Sequence, residues 1–462
     1  MSSLRRLVEG LADALGPATT PERLEAATRA ALAASHETNL APASPPRERF
    51  TSPLLEAAPP AVQSIALGLS LQAYSGRLPA TIRARSYDAI RRAAGHHARL
   101  CEAAADAFGV ALGQAPLILS PVGLLSDTAS PTDLLKLARV LDAAGADAGV
   151  PLVSGFSVPA AHGLTRGGRA LLEAVPEALA TNERLCGMAD CGSTEAGLNM
   201  EAVRLAARAA ATLSLHTEGH GAARFAICCN APSDTPFPPV AFQNPATPAD
   251  SVHIGLCAAG VLHAAVQATA PDAELDHLTR TIVRAAHDLT AFGALIARWV
   301  SDRLATAGGR PVLPGAVFLC LAPANVGAPG LADILLEMGI AQLDAPGAQA
   351  AQALVFGAIQ AGAHLAMPHV CLQRERPTCE APLLLPGDTA ERYLTALLLD
   401  AFAQPLATGR SAALRLAPIR GKQAGDLVDV GDGTGTRPVQ PAPSLANSTF
   451  LDRPGRLLFS PR

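Results

Sequence analysis

Aromatic side chains are scarce in this chain, 3% of 462 residues, with a single Trp and three Tyr. No run of Lys or Arg stands out, and the formal net charge is −4. A nucleic-acid surface needs a basic patch and usually stacking aromatics, so that partner is not expected. Charged residues are also few, 16% against 49% apolar, the reverse of what disorder requires. No apolar stretch runs uninterrupted for about 18 residues, so no transmembrane helix and no membrane partner are expected. The nine cysteines include no Cys-x-x-Cys pair, which removes the usual zinc and thioredoxin signatures. No metal and no cofactor is therefore expected. Met1 to Gly16 mixes Arg5, Arg6, Glu9 and Asp13 with apolar residues and reads as an amphipathic helix, not an export signal. Reduced thiols and a cytoplasmic location are the corresponding expectations.

What is abundant is alanine, which favours helix and close helix packing. Residues 1–60 read as a helical and irregular N-terminal extension, ending in the Pro- and Ser-rich stretch Pro42 to Pro60. Residues 61–462 read as a single α/β domain. Apolar runs at Ser64 to Leu71, Ala115 to Ser120, Val150 to Ser157, Arg184 to Ala189, Ala223 to Asn230, Ser251 to Cys257 and Ala316 to Leu321 predict strands. Helical patterns fall between them. Ser130-Pro131-Thr132-Asp133 opens one with a capping residue and a first-turn Pro. Asn199 to Leu215 is a second, and Ala258 to Ala307 a long one broken near Pro271. This alternation predicts parallel strands with crossover helices.

In such folds ligands bind where strands end, so the turns leaving strands matter most. Four carry small hydroxyl, amide or thiol groups: Ser126-Asp127, Gly155-Phe156-Ser157, Gly192-Ser193-Thr194 and Cys228-Cys229-Asn230. Helix starts there add free N–H groups and the positive dipole end, suited to a carboxylate or phosphate. The competing reading is that Ser, Thr and Asn cap the next helix. Adjacent strand residues face opposite ways, so of Cys228 and Cys229 one can face a pocket while the other packs as a small hydrophobe. His216 and His220 stand four apart, yet without His-Glu-x-x-His order and with Gly219 marking a helix end. They and His96-His97 read as surface residues. Gly431 to Gly435 lacks the Lys of a phosphate loop.

These turns also carry a likeness. Leu67-Gly68-Leu69-Ser70-Leu71, Pro121-Val122-Gly123-Leu124, Ser154-Gly155-Phe156-Ser157, Cys191 to Val203, Asn230-Ala231, Leu336-Glu337-Met338-Gly339 and Lys422 to Asp426 occur in order. In them the chain resembles an uncharacterised prokaryotic family, the PFL family with a domain-of-unknown-function 711-like region, placed beside pyruvate formate-lyase-like proteins. The likeness spans roughly residues 62–460. It implies a large α/β barrel of about ten strands in two roughly parallel halves with outer helices. It implies no settled activity. The chain departs from the family at Phe242-Gln243, where Phe-His is usual, at Cys257 to Gly260, at Asp344 to Gly347 and near Cys371 to Pro382. It reads as a divergent member. Radical chemistry would need a C-terminal Gly-Tyr site, and Tyr occurs only at 74, 87 and 393.

Two functions from different classes follow. One is an enzyme without a redox cofactor, a lyase, hydrolase or group transferase, acting on a small anionic metabolite that bears a carboxylate. Ser126, Ser157, Ser193, Thr194, Asn199, Asn230 and Gln243 would bind it. Cys229, Cys191 or Cys257 would be nucleophile or acid/base, with Asp127 as another proton carrier. The alternative is a non-catalytic small-acid binding or regulatory protein. The Ala-rich segments Ala202 to Ala211 and Ala258 to Ala268 could form a homo-oligomer interface or pack within the monomer.

Overall fold

The computed structural model describes residues 52–125, 127–270, 272–323, 327–363, 368–369, 381–431, 435–443 and 450–458. Ser126, the centre of Gly431 to Gly435, most of Cys371 to Pro382 and all but the end of the N-terminal extension lie outside them.

A short helix α1 (Pro53–Ala57) leads into strand β1 (Ala61–Leu69). Helices α2 (Pro79–Ala94) and α3 (His97–Phe108) return the chain to β2 (Leu112–Gln114) and β3 (Leu117–Leu119). Helix α4 (Pro131–Asp147) precedes β4 (Val153–Ser154) and β5 (Val158–Pro159), and α5 (Arg166–Thr181) precedes β6 (Gly187–Asp190). A tight excursion, β7 (Gly192–Ser193) and β8 (Gly197–Asn199), runs into α6 (Met200–His216), then β9 (Phe225–Cys229). After β10 (Asp250–Cys257) come α7 (Ala259–Gln267), α8 (Leu275–Gly308) and β11 (Val312–Cys320). The remainder is α9 (Leu331–Glu337), α10 (Ala348–Gly362), β12 (Pro368–His369), β13 (Leu383–Pro386), α11 (Glu391–Thr408), β14 (Ala412–Leu414), β15 (Leu416–Ile419), β16 (Leu427–Val428), β17 (Arg437–Pro438) and β18 (Arg456–Leu457).

Local chemistry sets several boundaries. Ser130 and Asp133 form a reciprocal capping box at α4, with Pro131 in the first turn, as the sequence predicts. Thr165 caps α5 by accepting from the Gly168 N–H. Gly309 ends α8 at φ 61°, a left-handed value that other residues adopt at a cost. The predicted break near Pro271 separates α7 from α8.

The main sheet has the order β12-β11-β10-β1-β3-β4, with β2 also on β1. Strands β1, β3 and β4 are parallel; β10 is antiparallel to β1, and β11 and β12 run parallel to β10. A second ladder is β5-β6-β9 in parallel, with β14 antiparallel at its edge. The two are stitched where Val153 bridges Leu185, with the Cys186 N–H donating to the Val153 carbonyl at 2.8 Å. Strand β13 pairs in parallel with β15. The fold is thus mixed α/β with parallel strands and helices, as expected. Among the described residues the strands do not close into a ring, since the β13–β15 pair joins neither β12 nor β14.

Side chains alternate between two faces. Ile65, Leu67, Leu117, Val153, Ala189, Ile227, Val252 and Ile254 meet the helices in one continuous core. Each fully buried aliphatic side chain contributes about 1.5–3 kcal/mol there. The opposite, inner face carries smaller and more polar groups and is filled by the chain itself. Residues 230–249 form a finger that enters along it and returns. The Ser64 hydroxyl donates to the Pro236 carbonyl at 2.6 Å, and Ser154 donates to the Ala241 carbonyl at 2.7 Å. Met188, Ala226 and Cys228 pack against Val240 and Phe242, and Ala66 and Ile118 against Ala241. Phe237 stands edge-on to Phe318, and Gly255 has no side chain because a Cβ there would lie 2.4 Å from the Phe237 ring.

Candidate functional site

At the carboxyl end of β6 the chain reads Asp190-Cys191-Gly192. Alternation puts Ala189 on the helix side and Asp190 on the inner face, level with Cys228 of β9 and Pro159 of β5. The Asp190 residue is partly exposed, yet its Oδ1 is shut off from solvent and has no hydrogen-bond partner. Burial pushes its carboxyl up to about 7, while backbone N–H groups of Ala231 and Gly192 pull the other way. Two more buried hydroxyl oxygens lack partners, Ser157 Oγ just before β5 and Thr235 Oγ1 in the finger. An unpartnered buried polar group costs about 1–3 kcal/mol, and such groups gather where a ligand or water completes the bonding.

Most expected binding residues are near Asp190 but already occupied. Thr194 and Asn230 clasp each other: the Thr194 N–H donates to Asn230 Oδ1 at 2.8 Å, and Asn230 Nδ2 donates to Thr194 Oγ1 at 2.9 Å. Thr194 Oγ1 donates onward to the Leu406 carbonyl, and Asn230 Nδ2 to that of Arg410. Ser193 Oγ accepts from the Ala196 N–H. Asn199 is buried; its Oδ1 accepts the N–H groups of Glu201 and Ala202 at the start of α6, and its Nδ2 donates to Ala160. Asp127 accepts from the Gly167 N–H at the start of α5. Within the turn from Cys191 to Met200 these side chains thus do the work of caps and clasps.

Cys191 and Cys229 stand level on neighbouring strands, while Cys257 lies in the main sheet. Cys191 and Cys229 lie in the helix-side core. Burial raises both thiols, Cys229 to about 12 and Cys191 well above its ordinary range, with the Asp190 charge adding to each. A thiol held that high is not a ready nucleophile. Cys228 faces inward and packs on the finger. Cys257 pairs with Ala61, at the end of β1 away from Leu69. Eight residues of strand separate those ends, about 26 Å.

Gln243 belongs to a different inner-face cluster. Its Oε1 accepts from the Ser251 hydroxyl at 3.1 Å, beside His253 Nε2 at 3.3 Å. The Ala316 N–H donates to His253 Nδ1 at 3.1 Å, which places the neutral ring's proton on Nε2, 2.8 Å from Ser251 Oγ. Burial lowers this histidine to about 4. Asp234, itself raised by burial, approaches the same Nε2 at 3.8 Å. A hydrolytic triad needs the acid on one ring nitrogen and the serine on the other. Here both share one nitrogen and a backbone N–H occupies the second, so Ser251 is not activated.

His216 and His220 are exposed, with His220 Nδ1 2.8 Å from the Val430 carbonyl, whereas His97 is not at the surface but fully buried, its Nε2 3.0 Å from the Ile65 carbonyl. Among the described residues no three His, Cys, Asp or Glu side chains stand together as a metal site, and no helix is long and apolar enough to cross a membrane. Sequence reasoning missed Asp190. A lone Asp at a strand end has no distinctive spacing, and only its burial singles it out.

Parallel strands flanked by helices, with a finger of chain along their inner face, place the molecule among mixed α/β proteins. A family model described as "Uncharacterised ACR (DUF711)" matches residues 54–372. A UPF0210 protein of Halothermothrix orenii is 30% identical over 433 residues, 86% of this chain and 94% of its own. UPF0210 proteins of Thermoanaerobacter and Methanosarcina acetivorans are 28% and 27% identical, each over 86% of this chain and over 93% and 91% of their own. The chain belongs to this bacterial and archaeal DUF711 family.

Proposed function

We propose that the protein is an enzyme that moves a proton on a small carboxylate-bearing metabolite, with Asp190 as proton carrier. The observation that carries this is the Asp190 carboxyl itself: buried, with one oxygen unpartnered, and balanced near neutrality. Such a group is ionised often enough to take a proton and protonated often enough to return it. Ser157, just before β5, and Thr235, in the finger, supply unspent buried hydroxyls. Arg410, exposed and next to the Asn230–Thr194 clasp, offers the counter-charge for a carboxylate. A lyase, hydrolase or group transferase could use this step. We also read the strands as a barrel of about ten strands in the pyruvate formate-lyase-like manner; two oppositely directed parallel sets support that reading.

The test is a panel of small hydroxy-, oxo- and dicarboxylic acids offered to the wild type and to Asp190→Asn, with product read by mass spectrometry. Turnover should rise through a limb near pH 7 in kcat/KM and fall at least about a hundredfold in Asp190→Asn. Undiminished turnover in that variant would remove Asp190 from the reaction. A second reading, a non-catalytic small-acid sensor, is favoured by the fully occupied side chains of the 191–200 turn. Thermal stabilisation by an acid that is never converted would support it instead.

A further inference from the structure

At the far end of β9 from Asp190, a cleft of about 620 Å³ opens between two walls. One wall is the turn after α6, with Glu218. The other follows β15, with Arg420, Lys422 and Asp429. We propose that this cleft binds a free α-amino acid with an apolar side chain, through both of its charges.

The volume falls in the range of small-ligand sites, and the position, beyond the carboxyl end of β15, is where parallel strands place ligands. The charges are the main argument. Two cations and two carboxylates line one cleft without neutralising each other. Among the described residues no ion pair or side-chain hydrogen bond engages Arg420, Lys422 or Glu218. Asp429 uses Oδ1 to accept the Gly431 N–H, which leaves Oδ2 unspent. A plain anion would gain from Arg420 and Lys422 but be opposed by the two acids. A plain amine meets the converse. A zwitterion satisfies both pairs. Leu215, Ile419 and Val428 add apolar lining for its side chain.

The walls are also fixed relative to each other before anything binds. The Ser214 hydroxyl donates to the Pro418 carbonyl at 2.8 Å, and His220 meets Val430. Gly219, at φ 92°, is pressed so closely on Ile419 that a Cβ would lie 2.4 Å from its Cδ1. Glu218 holds φ 52°, one of three non-glycine left-handed residues among those described. Such conformations persist only where the surroundings impose them, and they gather at binding sites. A pre-formed site loses less entropy on binding.

The proposal is independent of Asp190 and is tested by calorimetry on the full-length protein. The probes are L-leucine, L-valine and L-methionine, with 4-methylpentanoate and 3-methylbutylamine as one-charge analogues of leucine, and inorganic phosphate. At least one amino acid should bind, with the analogues about tenfold weaker or more. Arg420→Ala with Lys422→Ala, and separately Glu218→Gln with Asp429→Asn, should each weaken it about tenfold or more while the melting curve stays unchanged. No heat from any amino acid up to about 10 mM would overturn the proposal. So would 4-methylpentanoate or phosphate binding as tightly as leucine, which would make the cleft an anion site only.

Discussion

Gly68 is the penultimate residue of β1, on the inner face and directly beneath Gln243. A Cβ built there would lie 1.8 Å from Gln243 Oε1 and 3.0 Å from Ser251 Oγ. Gln243 is the far end of a flexible side chain, but it is fully buried and tied to Ser251 and the Ala249 carbonyl. In Gly68→Ala it must leave. Forcing a methyl into a packed interior costs about 1–3 kcal/mol. Stranding the Gln243 amide adds about 1–3 kcal/mol, while the Ser251 hydroxyl keeps its contact with His253 Nε2. Against this stands about 0.5–1 kcal/mol gained by replacing Gly within a strand. The net expectation is a loss of about 3 kcal/mol, read as a fall in the urea midpoint at unchanged slope. Gln243→Ala makes room for the methyl. The double variant should therefore be about 2 kcal/mol less destabilised than the sum of the two single changes. A Gly68→Ala protein as stable as the parent, or a double variant that is simply additive, would refute the packing described for this finger.

Three further outcomes are expected. Asp190 ionises near 3.8 in the unfolded chain and near 7 when folded, so the folded state holds the extra proton between those values. Its contribution is fully present below about pH 4 and lost as pH rises through 7, a swing of about 4 kcal/mol in all. Asp190→Asn should accordingly gain about 2–3 kcal/mol on the parent between pH 5 and 8 in urea titrations. His97 and His253 act oppositely: burial lowers both from 6.5 to about 4, and their contribution, present above 6.5, is lost as pH falls through 4. Stability of Asp190→Asn should therefore decline more steeply on acidification than that of the parent; parallel curves would contradict the Asp190 assignment. Asn199→Ala removes a helix cap and a buried bond to Ala160 and should cost about 2–3 kcal/mol by chemical denaturation, which no substrate-contact role would require. Finally, Cys191 and Cys229 should resist alkylation of the native protein at neutral pH and label readily in urea, as peptide mass spectrometry would show; rapid native labelling of Cys229 would place it elsewhere.

Much of the layered fold is legible in the sequence because local signals agree there. Ser130 to Asp133, Asn199 and the break between α7 and α8 each mark a boundary that the structure keeps. Between residues 340 and 420 the reading left helices α10 and α11 and strands β13 to β15 unassigned, since Ala-rich runs blur the difference between helical and strand periods. The finger was hidden for another reason. Its burial depends on partners far away in sequence, such as Ser64 with Pro236 and Ser154 with Ala241. The site was half legible. The turn from Cys191 to Met200 stood out by its small polar residues, yet those residues bond to one another. The group left unsatisfied is the unremarkable Asp190 one position earlier.

The finger also has a consequence for how the chain comes together. Strand β10 zips onto β1 across a separation of nearly two hundred residues, from Ala61 to Cys257. Segment 230–249 lies between them in sequence and ends up beneath them in space. The pairing is complete only once the protein has swallowed part of itself. Contacts so distant are slow to form, and the open edges of β1 and β10 stay exposed meanwhile. Refolding yield should then fall as protein concentration rises.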